Sequence, residues 1–203
     1  MATTTERRQR SDGERSRQKI LRAAANLATI EGLEGISIGT LAAHIGMSKS
    51  GLYAHFGSKE QLQLATIDAA LEIFNADVVE PAQSAAGPRE RLSNLYDRFL
   101  DHVERRVFPG GCFFASAESE LGMQEGPVKD RIAELQQAWI ANVVQLVREA
   151  QAVGELPAGE DPAQVAFELD AYGMMGNVAF VLHDEPAYLD HARIAINRRL
   201  AGN

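Results

Sequence analysis

Residues 37–62, SIGTLAAHIGMSKSGLYAHFGSKEQL, decide the fold of this chain. Ser37 is a capping residue for a helix that runs to Ile45, and Gly46 supplies its left-handed stop. Ser48 caps a second helix ending near Phe56, and Ser58, after Gly57, caps a third. A small residue, Ala42, sits where two short helices crossing steeply must approach, and Gly46 follows at the tight turn. Leu41, Ile45, Met47 and Leu52 are spaced to hold the unit against a preceding helix. The pattern is a helix-turn-helix, which leaves the outer face of its second helix for the DNA major groove.

The stretch resembles the DNA-binding domain of the TetR family of transcriptional repressors. In that family a helix-turn-helix ends in a Leu-Tyr-x-His-Phe run, then a spacer and Ser-Lys-Glu. Here the run is Leu52-Tyr53-Ala54-His55-Phe56, followed by Gly57 and Ser58-Lys59-Glu60. The preceding KILRAAANLATIEGLEGIS, residues 19–37, is similar as well. The resemblance covers about residues 15–62; beyond them it extends only to an all-helical architecture of the right length.

It implies a sequence-specific DNA-binding transcriptional regulator, a repressor released from double-stranded operator DNA by a small-molecule effector. It also implies a homodimer. The aromatic and methionine residues of the body suit a small apolar or aromatic effector. Ser37 would hold a phosphate with its hydroxyl and the neighbouring N–H groups at a positive helix end. Lys49, Ser50 and Gly51 would lie on the first turn of the recognition helix. There Lys49 donates to guanine O6 or N7, and Gly51 lets the backbone approach the DNA. Tyr53 and His55 would clamp phosphates, and Lys59 would neutralise another. For Tyr53 a second reading stays open, in which the ring caps the small core. His44 reads as a solvated surface residue. Gly39 and Ala54 stand where the family often carries a larger or basic residue, so they remove possible phosphate contacts.

Charge supports the division. The chain of 203 residues carries a net charge of −8, but the average conceals two unlike parts. Residues 1–60 hold nine Lys/Arg and six Asp/Glu, a balance of +3; residues 61–203 hold eleven and twenty-two, a balance of −11. This predicts a small module meeting a polyanion, joined to a larger acidic body. The expected units are a flexible basic arm over 1–14, a DNA-binding domain over 15–60 and a ligand-binding and dimerisation domain over 61–203. In the arm, Arg7, Arg8 and Arg10, with Arg15 and Arg17 beyond it, either lie along phosphates or enter a minor groove, or are merely solvated.

Hydrophobic residues are 45% and charged residues 24%, which fits neither wholesale disorder nor a fibrous rod. A single cysteine, Cys112, rules out an intramolecular disulfide framework and fits a reducing compartment. No apolar run approaches the roughly 18–20 residues of a membrane span, and the N-terminus lacks the apolar middle of a secretory signal. The expectation is a cytoplasmic protein with no membrane partner.

Apolar spacing of three and four along the whole chain predicts an all-α fold of about nine helices. The first helix is expected over Ser16–Glu31 and the fourth over Ser58–Val79. Those of the body span about Pro88–Val107, Cys112–Leu121, Pro127–Ala152, Pro162–His183 and Pro186–Leu200. Phe99, His102, Phe113, Trp139, Tyr172, Met175, Asn177 and Phe180 are candidate walls of an effector pocket, joined by Val103, Phe114, Met123, Val143 and His183. Each of these also suits plain core. His102 and Asn177 are the polar candidates, since each needs a partner if buried.

Val165, Leu169, Gly173, Gly176 and Leu182, with Ile194 of the last helix, are candidates for a dimer interface. Two mid-helix glycines suggest close approach of another helix, either across a two-fold axis or inside one chain. Cys112 at a helix start reads as a buried thiol or as a redox or electrophile sensor.

The sequence suggests no cofactor, no metal site and no enzyme: H-E-x-x-H, C-x-x-C, G-x-S-x-G and Walker-type loops are absent from it. Asp101-His102, Cys112 and His183 have no spacing that demands a catalytic site. An architectural DNA binder would leave the acidic body without a use.

Overall fold

The computed structural model describes residues 4–202, with side chains from Gly13 onward. Among them the chain forms nine α-helices and no strand. These are α1 (Thr4–Glu31), α2 (Ile38–Ile45), α3 (Lys49–Phe56), α4 (Lys59–Phe74), α5 (Pro88–Glu104), α6 (Phe113–Leu121), α7 (Pro127–Ala152), α8 (Pro162–His183) and α9 (Ala187–Leu200). Beyond Phe74, α4 continues through a π-helical turn, Asn75–Val79, into a terminal α-turn, Glu80–Ala82.

The caps read from the sequence are in place. Ser37, Ser48 and Ser58 each accept a hydrogen bond from the backbone N–H three residues on. A further cap stands at the start of α8, where Asp161 accepts from the Ala163 N–H. Gly46 closes α2 at φ +70°, a conformation that a side chain would strain.

Two elements differ from expectation. The helix expected to start at Ser16 begins at Thr4, so residues 4–14 continue α1 instead of forming a separate arm. Arg, Gln and Glu are good helix formers, and the lone Gly13 does not interrupt them. The side chains of Arg7, Arg8 and Arg10 lie outside the described residues. The second difference is the π-turn. Pro81 has no N–H to give, and its ring crowds the carbonyl four residues back. The helix widens there, and the Glu80 N–H reaches the Asn75 carbonyl instead.

The core has two centres. One gathers Ile20, Ala24, Leu41, Leu52 and Leu62 of the first four helices, yet it also takes in Phe113, Ala117 and Leu121 of α6 and Val128 and Ile132 of α7. The other lies among α4 to α9, around Leu92, Tyr96, Leu100, Val143, Val147 and Leu169. The head is therefore built onto the body rather than strung from it. Polar contacts reinforce the junction. Arg22 Nη2 donates to the Val107 carbonyl (2.7 Å), the Gly110 N–H to Thr29 Oγ1 (3.0 Å), and the Leu33 and Glu34 N–H groups to Glu120 (2.6 and 2.9 Å).

α8 is long and apolar enough to cross a membrane by length and composition, which the sequence reading did not foresee. Its inner side packs into the body on α5, α7 and α9.

Candidate nucleic-acid interface and effector cavity

The helix-turn-helix presents its expected face. Leu52 and Phe56 turn inward, while Lys49, Ser50 and Tyr53 are exposed, Tyr53 by 61%. That exposure removes the reading of Tyr53 as a core cap. Lys49 lies across α2: a β-carbon on Gly39 would sit 3.3 Å from Lys49 Cε. The small residue at 39 thus gives the lysine stem a seat. Ser48 Oγ accepts the Gly51 N–H (3.1 Å) and lies 3.3 Å from Ser50 Oγ.

Ser37 is engaged in a capping box with Thr40: its hydroxyl accepts the Thr40 N–H (3.1 Å) and its own N–H donates to Thr40 Oγ1 (2.8 Å). His55 is half-buried, and its carbonyl accepts from Arg17 Nη1 (3.0 Å). The Arg17 guanidinium also stacks 4.5 Å from the centre of the Phe56 ring. Arg17, expected among the arginines available to DNA, instead ties α1 to the end of α3. Lys59 is exposed and donates to Glu34 Oε2 at 2.9 Å, which holds the Glu34 carboxyl below its usual range. His44 is exposed, as expected.

A cavity of about 300 Å³ opens in the body between α4, α5, α6, α7 and α8. Phe74, Tyr96, Phe99, Phe114 and Trp139 supply its aromatic walls. Phe74 stands edge-on to Trp139 (5.5 Å, 74°) and to Phe114 (5.7 Å, 79°), and Tyr96 edge-on to Trp139 (6.1 Å, 74°). Rings nearly at right angles box in a space, where a stack would fill it. Two carboxyl groups line the same space. Asp170 accepts the Trp139 Nε1–H at 2.8 Å; burial raises its carboxyl above the usual range, an effect this bond partly offsets. Burial, then the charge of Asp170, pushes Glu118 up to about 7.

Residues 20–66 match the family model described as bacterial regulatory proteins, tetR family, and residues 88–196 match the tetracyclin repressor-like C-terminal domain. The chain belongs to the TetR family. Among its relatives is the transcriptional regulator AcuR of Cereibacter sphaeroides, 27% identical over 76% of this chain and 71% of that protein. The fold matches that of a TetR transcriptional regulator from Chloroflexus aurantiacus J-10-FL with a TM-score of 0.84, at 24% identity over 93% of this chain and 96% of that one. It also matches AibR, solved with isovaleryl coenzyme A and operator DNA, with a TM-score of 0.74 at 23% identity, over 91% and 98% of the two chains. The protein is a DNA-binding transcriptional regulator, a non-enzymatic class.

Of the residues expected to line the pocket of this TetR-family regulator, Phe99 and Trp139 do, as does Phe114. The others lie elsewhere. Phe113 is buried in the head-side core. Phe180 is buried 5.0 Å beneath the Arg106 guanidinium. Asn177 Oδ1 accepts the Cys112 N–H (2.9 Å), which holds the loop before α6. Tyr172 and Met175 point outward, Met175 being 63% exposed, and Met123 is 98% exposed. His102 is fully buried against Asp77 of the π-turn (2.7 Å). Because a carboxylate only accepts, the ring proton sits on Nδ1. Burial outweighs Asp77 and lowers the His102 pKa, so the ring stays neutral.

Sequence reasoning missed Glu118 and Asp170. The available signal was a carboxylate against or inside an apolar run: Glu118 directly after Phe113–Ala117, and Asp170 within Ala166–Val181. Cys112 lies on the cavity wall, fully buried, and burial pushes its thiol up to about 11. A protonated thiol is a poor nucleophile, which argues against the sensor reading. Among the described residues, no group of three or more His, Cys, Asp or Glu side chains is placed to hold a metal ion.

The candidate interface residues divide. Val165, Leu169, Gly173 and Gly176 face inward and are buried within the chain. A β-carbon on Gly176 would lie 2.8 Å from Ala192 Cβ, and one on Gly173 3.3 Å from the Phe99 ring. The mid-helix glycines therefore serve packing inside one chain. Leu182 and Ile194 are exposed, as are Phe167, Met175 and Val178, and together they form an apolar outer face on α8 and α9.

Proposed function

We propose that this regulator is a homodimeric repressor that leaves its operator when a small organic effector enters the body cavity. The observation that carries the reading is where the cavity walls lead. Phe74 and Asn75 of the α4 hinge and Phe114, Ala115 and Glu118 of α6 line it. At its other end α4 carries Lys59, and α6 carries Glu120, which accepts the Leu33 and Glu34 N–H groups next to α2. An occupant that shifts either helix moves the recognition helix with it. The π-turn, where the α4 ladder is already broken, is the natural hinge. The effector must bind the DNA-incompetent state more tightly for any population to shift.

Lys49 reads a base edge, while Ser50, Gly51, Tyr53, His55 and Lys59 hold the backbone. The Ser37 hydroxyl accepts within its capping box and keeps its O–H to donate, so the phosphate at the start of α2 is met by that O–H and the N–H groups of Ile38 and Gly39. The apolar face of α8 and α9 pairs with itself across a two-fold axis, setting two heads at half-sites about 34–36 Å apart or a multiple of this. The AibR structure, which holds isovaleryl coenzyme A and operator DNA, is an instance of this fold taking both a small organic molecule and DNA. A repressor acting on chromosomal operators works in the cytoplasm, which is the compartment this reading carries with it.

The test is fluorescence anisotropy with the DNA upstream of its own gene. Specific, salt-sensitive binding by a dimer, reversed by a small-molecule extract, is expected. Binding without sequence preference overturns the operator reading.

A further inference from the structure

Aromatic walls alone suit many occupants, but the charges in this cavity are one-sided. Glu118 and Asp170 line it, and no Lys, Arg or His does. The other titratable groups on its walls are Cys112 and Tyr96, both neutral acids; α4 and α7 contribute no titratable group. Among the described residues no side chain donates a hydrogen bond to Glu118, and Asp170 receives one, from Trp139. The Tyr96 hydroxyl, 1% exposed on the same wall, has no hydrogen-bond partner. It stands near enough to Asp170 for that charge, after burial, to raise its pKa further. Half-buried carboxyls without a counter-charge and a fully buried hydroxyl without a partner are unfavourable unless something completes them.

We propose that the cavity takes an organic cation: an amine or quaternary ammonium on a small apolar or aromatic body. Its charge lies between Glu118 and Asp170 and against the ring faces, and its apolar part fills the box of Phe74, Phe99, Phe114 and Trp139. A quaternary ammonium does this by charge alone; an amine also offers a donor to the Tyr96 hydroxyl. The volume, at the low end for small-molecule sites, limits the size. Carboxylates and phosphates meet like charge here, and a neutral hydrocarbon leaves both carboxyls uncompensated. The inference rests on the effector reading above and narrows its ligand class.

The test uses the full-length protein and three probes of similar shape: benzyltrimethylammonium, its neutral isostere neopentylbenzene, and the anion 3-phenylpropanoate. Trp139, the sole tryptophan, reports occupancy by fluorescence. Calorimetry in two buffers of different ionisation enthalpy counts protons. The cation is expected to bind at least tenfold more tightly than the isostere, releasing up to about half a proton at pH 7 as Glu118 ionises. The paired Glu118→Gln and Asp170→Asn changes should lower its affinity at least tenfold. Equal or tighter binding of the isostere or the anion overturns the cation and leaves an effector cavity standing. Failure of all three to perturb Trp139 at millimolar concentration overturns the cavity's role as an effector site as well.

Discussion

Glu120, in the last turn of α6, accepts the backbone N–H of Leu33 at 2.6 Å through Oε2, and Oε1 takes the next N–H, from Glu34, at 2.9 Å. One carboxylate of the body thus satisfies two amides of the turn that enters the helix-turn-helix. Hydrogen bonds to a charged acceptor contribute about 1.5–3 kcal/mol each. Glu120→Gln leaves an amide nitrogen where one oxygen accepted. It is expected to lower stability by about 1–3 kcal/mol. Native-state hydrogen exchange at Leu33 and Glu34 should speed up with little change at the α7 and α8 amides. Unchanged exchange at both residues would show that the contact does not hold head to body.

Lys49 and Gly39 yield a prediction in which stability and function part. Lys49→Ala removes the proposed base contact, and a good base contact is worth about 1–3 kcal/mol of discrimination. Operator affinity should fall about 5- to 150-fold, with preference relaxed at one base pair per half-site. Gly39→Ala adds a β-carbon 3.3 Å from Lys49 Cε and pushes the lysine aside. It should stabilise α2 by up to ~1 kcal/mol while weakening the operator complex. Thermal melts and anisotropy titrations on the same samples check both signs.

Glu118 makes stability depend on pH in an unusual direction. Its carboxyl titrates at about 7 in the fold, against 4.5 ordinarily. The folded chain therefore holds a proton that the unfolded chain has lost, and the contribution is full below about 4.5 and is lost as pH rises through about 7. Asp170, also raised, acts in the same sense. The neutral His102 opposes them, since its lowered pKa removes stability as pH falls below 6.5. Glu118→Gln isolates the first effect. Discounted for partial exposure, the variant should exceed the parent by about 1–3 kcal/mol at pH 8 and match it near pH 4.5. Urea melts at the two pH values measure this, and an equal gain at both would assign it to packing.

The head was legible because its signals are local. Ser37, Gly46, Ser48 and Ser58 act on their own backbone within four residues, and their types reveal what they do. The cavity was less legible because α8 is apolar nearly all round. Val165, Leu169, Tyr172, Met175 and Leu182 share one broad face by spacing, but Phe167, Met174 and Val178 make the opposite side apolar too, so the 3.6-residue period does not say which side turns inward. Tyr172 and Met175 were placed in the pocket, whereas Asp170 and Met174 line it. His102 and Asn177 each need partners once buried; the Cys112 N–H supplies one to Asn177, and Asp77 meets His102 Nδ1 while the buried Nε2 has none. The π-turn follows from Pro81 only once the chain is known to stay helical past it.

That same ambiguity on α8 separates Gly176 from Leu182, and the two positions test the dimer. Leu182 is 73% exposed, so Leu182→Glu costs the isolated chain little. Set into a self-paired apolar face, it brings two like charges together across the axis. Sedimentation should show dimer dissociation strengthened at least about 30-fold, the equivalent of ~2 kcal/mol at a central interface residue, with the unfolding midpoint of the monomer unmoved. Gly176→Val behaves in the opposite way. Its β-carbon meets Ala192 and forces α8 from α9, at about 1–3 kcal/mol of stability. Operator binding should follow the dimer, failing in Leu182→Glu at concentrations where the folded monomer predominates. If Leu182→Glu remains a dimer that binds operator as tightly as the parent, the outer face of α8 and α9 is not the interface.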